Sequence, residues 1–210
     1  MPWPPRQPSR EEISEANLAA YDLVIERARR LGNLQAETNA GYYGRLMLSP
    51  DLGSRLSEFG RTVRSLGDHA GTYSHKDREF VDQVLSVDFK DNIVQSIHLN
   101  DAVATGVRIE AIEALRAGRE ELLTEEEAQL ADFIRKVVGG KMDEATWLKM
   151  EGRMGETAVL EYAIFILFLQ LTMRLMSCVG IAAVSDEHIE AQIAAFKAGD
   201  KPDDFRKRIE

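Results

Sequence analysis

His98, inside the stretch NIVQSIHLND at 92–101, is the residue in this chain best placed by type and surroundings to do chemistry. An imidazole changes charge near neutral pH, so it can give or take a proton under physiological conditions. At 100° per helical residue, Asp91, Val94, His98 and Asp101 fall on nearby parts of one face, with Ile93, Ile97 and Asn100 in neighbouring sectors. Two carboxylates beside one imidazole favour its charged form and hold one tautomer. Burial among Ile93, Val94 and Ile97 opposes charging. A plainer reading stands beside this one: Asp91 as a helix-start residue facing the dipole, Asp101 as a solvated charge, and His98 as a core histidine with a hydrogen-bond partner.

Metal and nucleophile chemistry find less support. The sequence has no HxxxH pair, and His98 with Asp101 or His75 with Glu79 supplies only one nitrogen and one carboxylate each. No metal site is expected. The single cysteine, Cys178, excludes an intrachain disulfide and a Cys-rich zinc site, and fits a reducing, cytoplasmic compartment. Serine nucleophile elbows and glycine-rich phosphate loops are absent, so no nucleotide cofactor is expected. His69 and His75 lie in DHAGTYSH at 68–75, which reads as a pocket-lining loop.

The elements that must position these residues read as helices almost throughout. SREE at 9–12 and TEEE at 124–127 each place a hydroxyl three residues before a glutamate, the capping-box arrangement of a helix start. The first pattern predicts a helix from about Arg10 to Leu31, closed by LGN. Pro50 after Ser49 opens another, since a first helical turn needs no N–H there. Strand-like alternation is nearly missing. The expectation is an all-α, single-domain bundle of eight or nine helices, with a proline-rich arm at 1–12, the helical domain at 13–200 and a polar tail at 201–210.

A formal charge of −9 and the lack of a basic stripe argue against a nucleic-acid partner. The arm MPWPPRQPSR lacks the apolar segment of a secretory signal. The most apolar stretch, 162–184, is long enough to span a bilayer. Its uninterrupted apolar run ends at Leu169, and Gln170, Thr172 and Arg174 fall near its centre, which favours a core or subunit-interface helix over a membrane span.

Taken in order, LMLSPDLGSRLSEFGRTVRS, then REFVDQVLSVDFKDNIVQSIHLNDAVATGVRIEAIEALRAG, then the apolar helix region, resemble the carboxymuconolactone decarboxylase superfamily, which includes alkylhydroperoxidase-D-like proteins. The likeness runs from about Gly41 to Ile181. The family's Arg-Glu pair, its histidine nineteen residues after the glutamate, and its alanine and glycine four and eight further on correspond here to Arg78, Glu79, His98, Ala102 and Gly106. The peroxidase-like branch carries a CxxC pair seven and four residues before the histidine. Asp91 and Val94 stand there in this chain, so a dithiol redox cycle is unavailable and the resemblance is to the decarboxylase-like branch.

That resemblance implies a bundle of the alkylhydroperoxidase-D-like type, assembled as a homo-trimer or homo-hexamer, and a cofactor-independent lyase acting on a small carboxylated lactone or related intermediate of aromatic catabolism. It implies His98 as proton donor with Glu79 as its partner, and Arg78, Asp91, Asp101, Tyr73 and His69 as candidate substrate contacts. An isomerase or dehydratase using the same pair, or a non-catalytic oligomeric binding protein, are the alternatives.

Overall fold

The computed structural model describes residues 6–30, 41–70 and 73–203, without the side chains of residues 30 and 67–70. The predicted arm residues 1–5, the LGN stop at 31–33 and the tail residues 204–210 lie outside the described residues. Among those described, ten α-helices and three short 3-10 turns account for the regular structure, and there is no strand. The all-α expectation holds. The helices are α1 (Leu18–Arg30), α2 (Gly41–Leu46), α3 (Pro50–Ala70), α4 (His75–Phe89), α5 (Asn92–Ala104), α6 (Ile109–Arg116), α7 (Glu125–Gly139), α8 (Glu144–Met154), α9 (Glu156–Cys178) and α10 (Asp186–Lys197).

The first helix starts later than the capping box suggests. Ser9 and Glu12 do form a reciprocal box, but it closes a 3-10 turn over Arg10–Glu12. Ile13 then turns extended at φ −87°, ψ 133°, which no helix can pass through. Arg10 instead reaches forward to Asp22 of α1 at 2.8 Å, and Arg6 binds Glu12. The described part of the arm is therefore tied down by charge pairs.

Packing sorts the chain into two compact units. The first comprises 1–62, 174–181 and 206–210. Its core is Tyr21, Val24, Ile25 and Ala28 of α1 packed with Met47, and Ile13, Tyr43 and Leu46 lie against it. Gly53 is needed on α3, because a Cβ there would sit 2.8 Å from the carbonyl oxygen of Leu46.

The second unit, 63–173 with 182–205, holds the candidate chemistry. Its centre is α4, which packs against α5, α6 and α7. Ten consecutive residues, Asp77 to Ser86, are buried although six of them are polar or charged. Burying a polar group is costly without a partner, and Asp77, Arg78, Glu79, Asp82 and the Gln83 oxygen each have one. Ser74 and Asp77 form a capping box, Arg153 reaches Asp77 at 2.8 Å, Tyr162 donates to the Asp77 carbonyl at 2.9 Å, and Gln95 of α5 donates to Gln83 at 3.3 Å. Phe80, Val84, Leu85, Leu99, Phe133 and Ile166 fill the apolar remainder, each 2% exposed or less.

A tight turn joins α4 to α5. Lys90 takes a left-handed conformation at φ 56°, and the Asp91 N–H returns to the Ser86 carbonyl at 2.8 Å. This is the Schellman closure, here with a lysine where glycine is usual. It lays α5 antiparallel on α4. Glu79 stands seven residues before Ser86, and His98 stands seven after Asp91, so both lie at about 10.5 Å from the turn at 1.5 Å per residue. The nineteen-residue spacing is thus the register of a helical hairpin. At the far end of α5, Gly106 takes φ +91° and the Val107 N–H returns to the Ala102 carbonyl at 2.9 Å. On the other flank, Asn92 and Arg116 both donate to Asp186, which anchors the start of α10.

Candidate active site

On α4, His75, Glu79 and Asp82 are spaced i, i+4 and i+7, the interval that lines side chains along one helix face. His98 comes to that face from α5 and Arg64 from α3. The His98 Nδ1 lies 3.0 Å from Glu79 Oε2 and 3.6 Å from Asp82 Oδ2. The first distance is a hydrogen bond; the second is too long for one and acts through charge alone. Two carboxylates do flank the imidazole, but they are Glu79 and Asp82, where the sequence pointed to Asp91 and Asp101. The other oxygen of Glu79, Oε1, lies 3.0 Å from His75 Nε2. Each oxygen of one buried carboxylate thus meets a different imidazole.

Electrostatics fix the proton positions. Burial pushes the Glu79 carboxyl upward, but the positive charge of His98 and the bonds from His75 and His98 overcome it and hold it well below the usual range. An ionised carboxylate only accepts, so each imidazole nitrogen facing it carries the proton. His98 is therefore the Nδ1–H form toward Glu79, which leaves Nε2 as its reacting nitrogen. Burial lowers the affinity of His98 for its second proton, yet Asp82 and Glu79 more than offset this and the net shift is upward. Asp82 is fully buried, and burial raises its pKa against the pull of His98 and Arg64. Among the described residues, Nε2 of His98 has no hydrogen-bond partner, and the side chain is 20% exposed.

Arg64 is the guanidinium of this cluster. It sits 3.4 and 3.5 Å from the Asp82 oxygens and 5.3 Å from the centre of the Phe165 ring, with 30% of its side chain exposed. Arg78, the residue singled out in the sequence as a carboxylate anchor, faces elsewhere: it is 3% exposed and donates to the backbone carbonyl of Arg64. That bond fastens α3 to α4. Asp91 caps α5, accepting from the N–H groups of Ile93 and Val94 at 3.1 and 3.2 Å, and burial raises its pKa. That is its plainer reading. Tyr73 is 1% exposed, its ring 5.2 Å from that of Tyr162 and its hydroxyl donating to the Val63 carbonyl. It belongs to the core. The supposed pocket loop is in part helix, since α3 runs through His69 to Ala70; the His69 side chain lies outside the described residues.

Asp101 stays near the dyad. One donor atom each from Glu79, His98 and Asp101 lies within 4.8 Å of the others, a set of metal-binding type. Both Glu79 oxygens also lie 3.0 Å from an imidazole nitrogen, Oε1 from His75 and Oε2 from His98. An open cleft of about 410 Å3 between α7 and α8, lined by Glu125, Asp132, Thr146, Lys149 and Met150 among others, contains none of these residues. Sequence reading missed Asp82 and Arg64. Asp82 carried a usable signal in its place three residues after Glu79; Arg64 carried none, since only packing brings α3 to this face. No family model, curated protein or solved structure matches the chain.

Proposed function

We propose that this chain is a cofactor-independent lyase of the carboxymuconolactone decarboxylase-like type, acting in the cytoplasm on a small carboxylated lactone or related acid of aromatic catabolism. The observation that carries the reading is the 3.0 Å bond between Glu79 and His98 Nδ1, with the opposite nitrogen unpaired among the described residues. This is the arrangement of a general acid whose tautomer is fixed from behind. In the reaction, the bond from the ring carbon to the carboxylate breaks and carbon dioxide leaves. The electron pair passes into the conjugated carbonyl as an enolate, and the proton on His98 Nε2 moves to carbon. Neutral His98 then regains a proton from water. Arg64 is the cation a substrate carboxylate would meet, taking the part that sequence reasoning gave to Arg78.

The test is a screen of lactone and aromatic acids for carbon dioxide release, followed by His98→Gln on the substrate found. The expected loss is about 10²-fold or more in kcat with the fold retained. Wild-type turnover by that variant would sink the reading. Release of water, or a moved double bond without carbon dioxide, would instead identify a dehydratase or isomerase working through the same pair.

A homo-oligomer, trimer or hexamer, belongs to the proposal. Leu160, Ile164, Leu167 and Leu171 repeat along one stripe of α9, and each is between a third and about half exposed. Apolar area left in water costs about 25 cal/mol per Å2, and a stripe of this kind is typical of a contact surface.

A further inference from the structure

We propose that His75 is the positioning residue of the Glu79–His98 pair. By donating Nε2–H to Glu79 Oε1, it holds the carboxylate so that Oε2 faces His98 Nδ1, and so keeps Nε2 as the reacting nitrogen. The inference rests on the proton-transfer reading of the site.

Glu79 is 3% exposed in its side chain, whereas His75 and His98 are 22% and 20% exposed. A buried carboxylate with one oxygen unpaired would turn about its last bond to satisfy both lone-pair sets, and the oxygen offered to His98 would no longer be fixed. His75 removes that freedom. It can do so because its own backbone is pinned. It is the first residue of α4, directly after Ser74, whose capping box with Asp77 closes the first turn. Asp77 is itself held at 2.8 Å by Arg153 of α8. Contacts run from Arg153 through Asp77 to Ser74, the residue before His75, and from His75 to Glu79 at the i,i+4 interval and then to α5. Asp82 and Arg64 also face His98, and Asp101 lies beside it, whereas the Oε1 edge of Glu79 is the one that meets His75.

The variants are His75→Phe, which keeps a ring but loses the donor, and His75→Gln, which restores an N–H within reach. The first readout is the tautomer and titration of His98, followed by NMR of nitrogen-15 histidine-labelled protein without substrate. In His75→Phe, neutral His98 is expected as a mixture of tautomers with a shifted titration midpoint; in His75→Gln, the Nδ1–H form should return. The second readout is turnover, where His75→Phe should lose about tenfold in kcat with little change in KM, and His75→Gln should recover most of it. An unchanged His98 tautomer and midpoint in folded His75→Phe would overturn the proposal whatever the activity. So would stoichiometric uptake of added zinc that is lost in His98→Gln, because the Glu79 electron pairs would then serve a metal. Failure of the lyase reading looks different: the tautomer of His98 responds to His75 as expected, while His98→Gln turns over normally.

Discussion

Glu79 binds two imidazoles and Asp82, one turn on, binds none directly, although both carboxylates lie against His98. The difference sets the pH dependence. His98 is raised above its ordinary pKa of 6.5, so its contribution to stability is fully present below that value and is lost as pH rises through the raised one. Glu79 is depressed below its ordinary 4.5, so its contribution is fully present above 4.5 and is lost as pH falls through the lowered value. The pair therefore stabilises most between about 4.5 and 6.5. Denaturant titrations should show His98→Gln costing more stability at pH 6 than at pH 9; an equal cost at both would refute the ion pair. Arg78 gives a second residue-scale prediction. Because it is buried and bonds the Arg64 backbone carbonyl, Arg78→Gln should cost about 1–3 kcal/mol of stability and leave KM for an acidic substrate unchanged. A large rise in KM without loss of stability would return Arg78 to the site.

The α4–α5 hairpin is the element that makes the site, and its turn residue is under strain. Lys90 at φ 56° carries a steric penalty that glycine avoids, set against the extra chain entropy glycine brings to the unfolded state. Lys90→Gly should therefore stabilise by about 0.5–1 kcal/mol, and Lys90→Val should destabilise by about 1 kcal/mol or more, since a β-branched side chain fits that region worst. Thermal melts of the two variants check the signs. If Lys90→Val also loosens the Glu79–His98 register, its activity should fall more than its stability loss explains.

At the scale of the molecule, α9 is the element whose surroundings matter most. It is long and apolar enough to cross a membrane by length and composition, yet 44% of its most apolar window is buried inside the protein, with Tyr162, Phe165, Ile166 and Leu169 in the core. The stripe of Leu160, Ile164, Leu167 and Leu171 is left facing outward. Placing lysine at both 160 and 167 should shift sedimentation from an oligomer to a monomer without unfolding. A wild-type chain that sediments as a compact monomer at micromolar concentration would sink the oligomer. Cys178, the last residue of α9, is exposed. It remains a lone thiol, so Cys178→Ser should leave turnover unchanged; complete loss of activity in a folded variant would point to redox chemistry.

Helix content was legible in the sequence because capping boxes and helical periodicity are local: Thr124 with Glu127 stands as read, and Pro50 opens α3. The pairing of Glu79 with His98 was expected only from the family resemblance; the structure shows that its nineteen-residue separation is the register of one hairpin. The apparent start of the first helix failed because the Ser9–Glu12 box is equally compatible with a 3-10 turn, and ion pairs to Arg6 and Arg10 decided between them. Arg78 and Tyr73 were read as site residues because their types suit a pocket; which way a buried side chain turns depends on the neighbouring helices, and those turned them to the Arg64 and Val63 carbonyls. The sequence by itself determined the helices and the hairpin register, through interactions a few residues apart. Only the tertiary structure decided that Arg64 of α3 joins the dyad, because contacts between helices distant in the chain follow from packing and carry no fixed spacing.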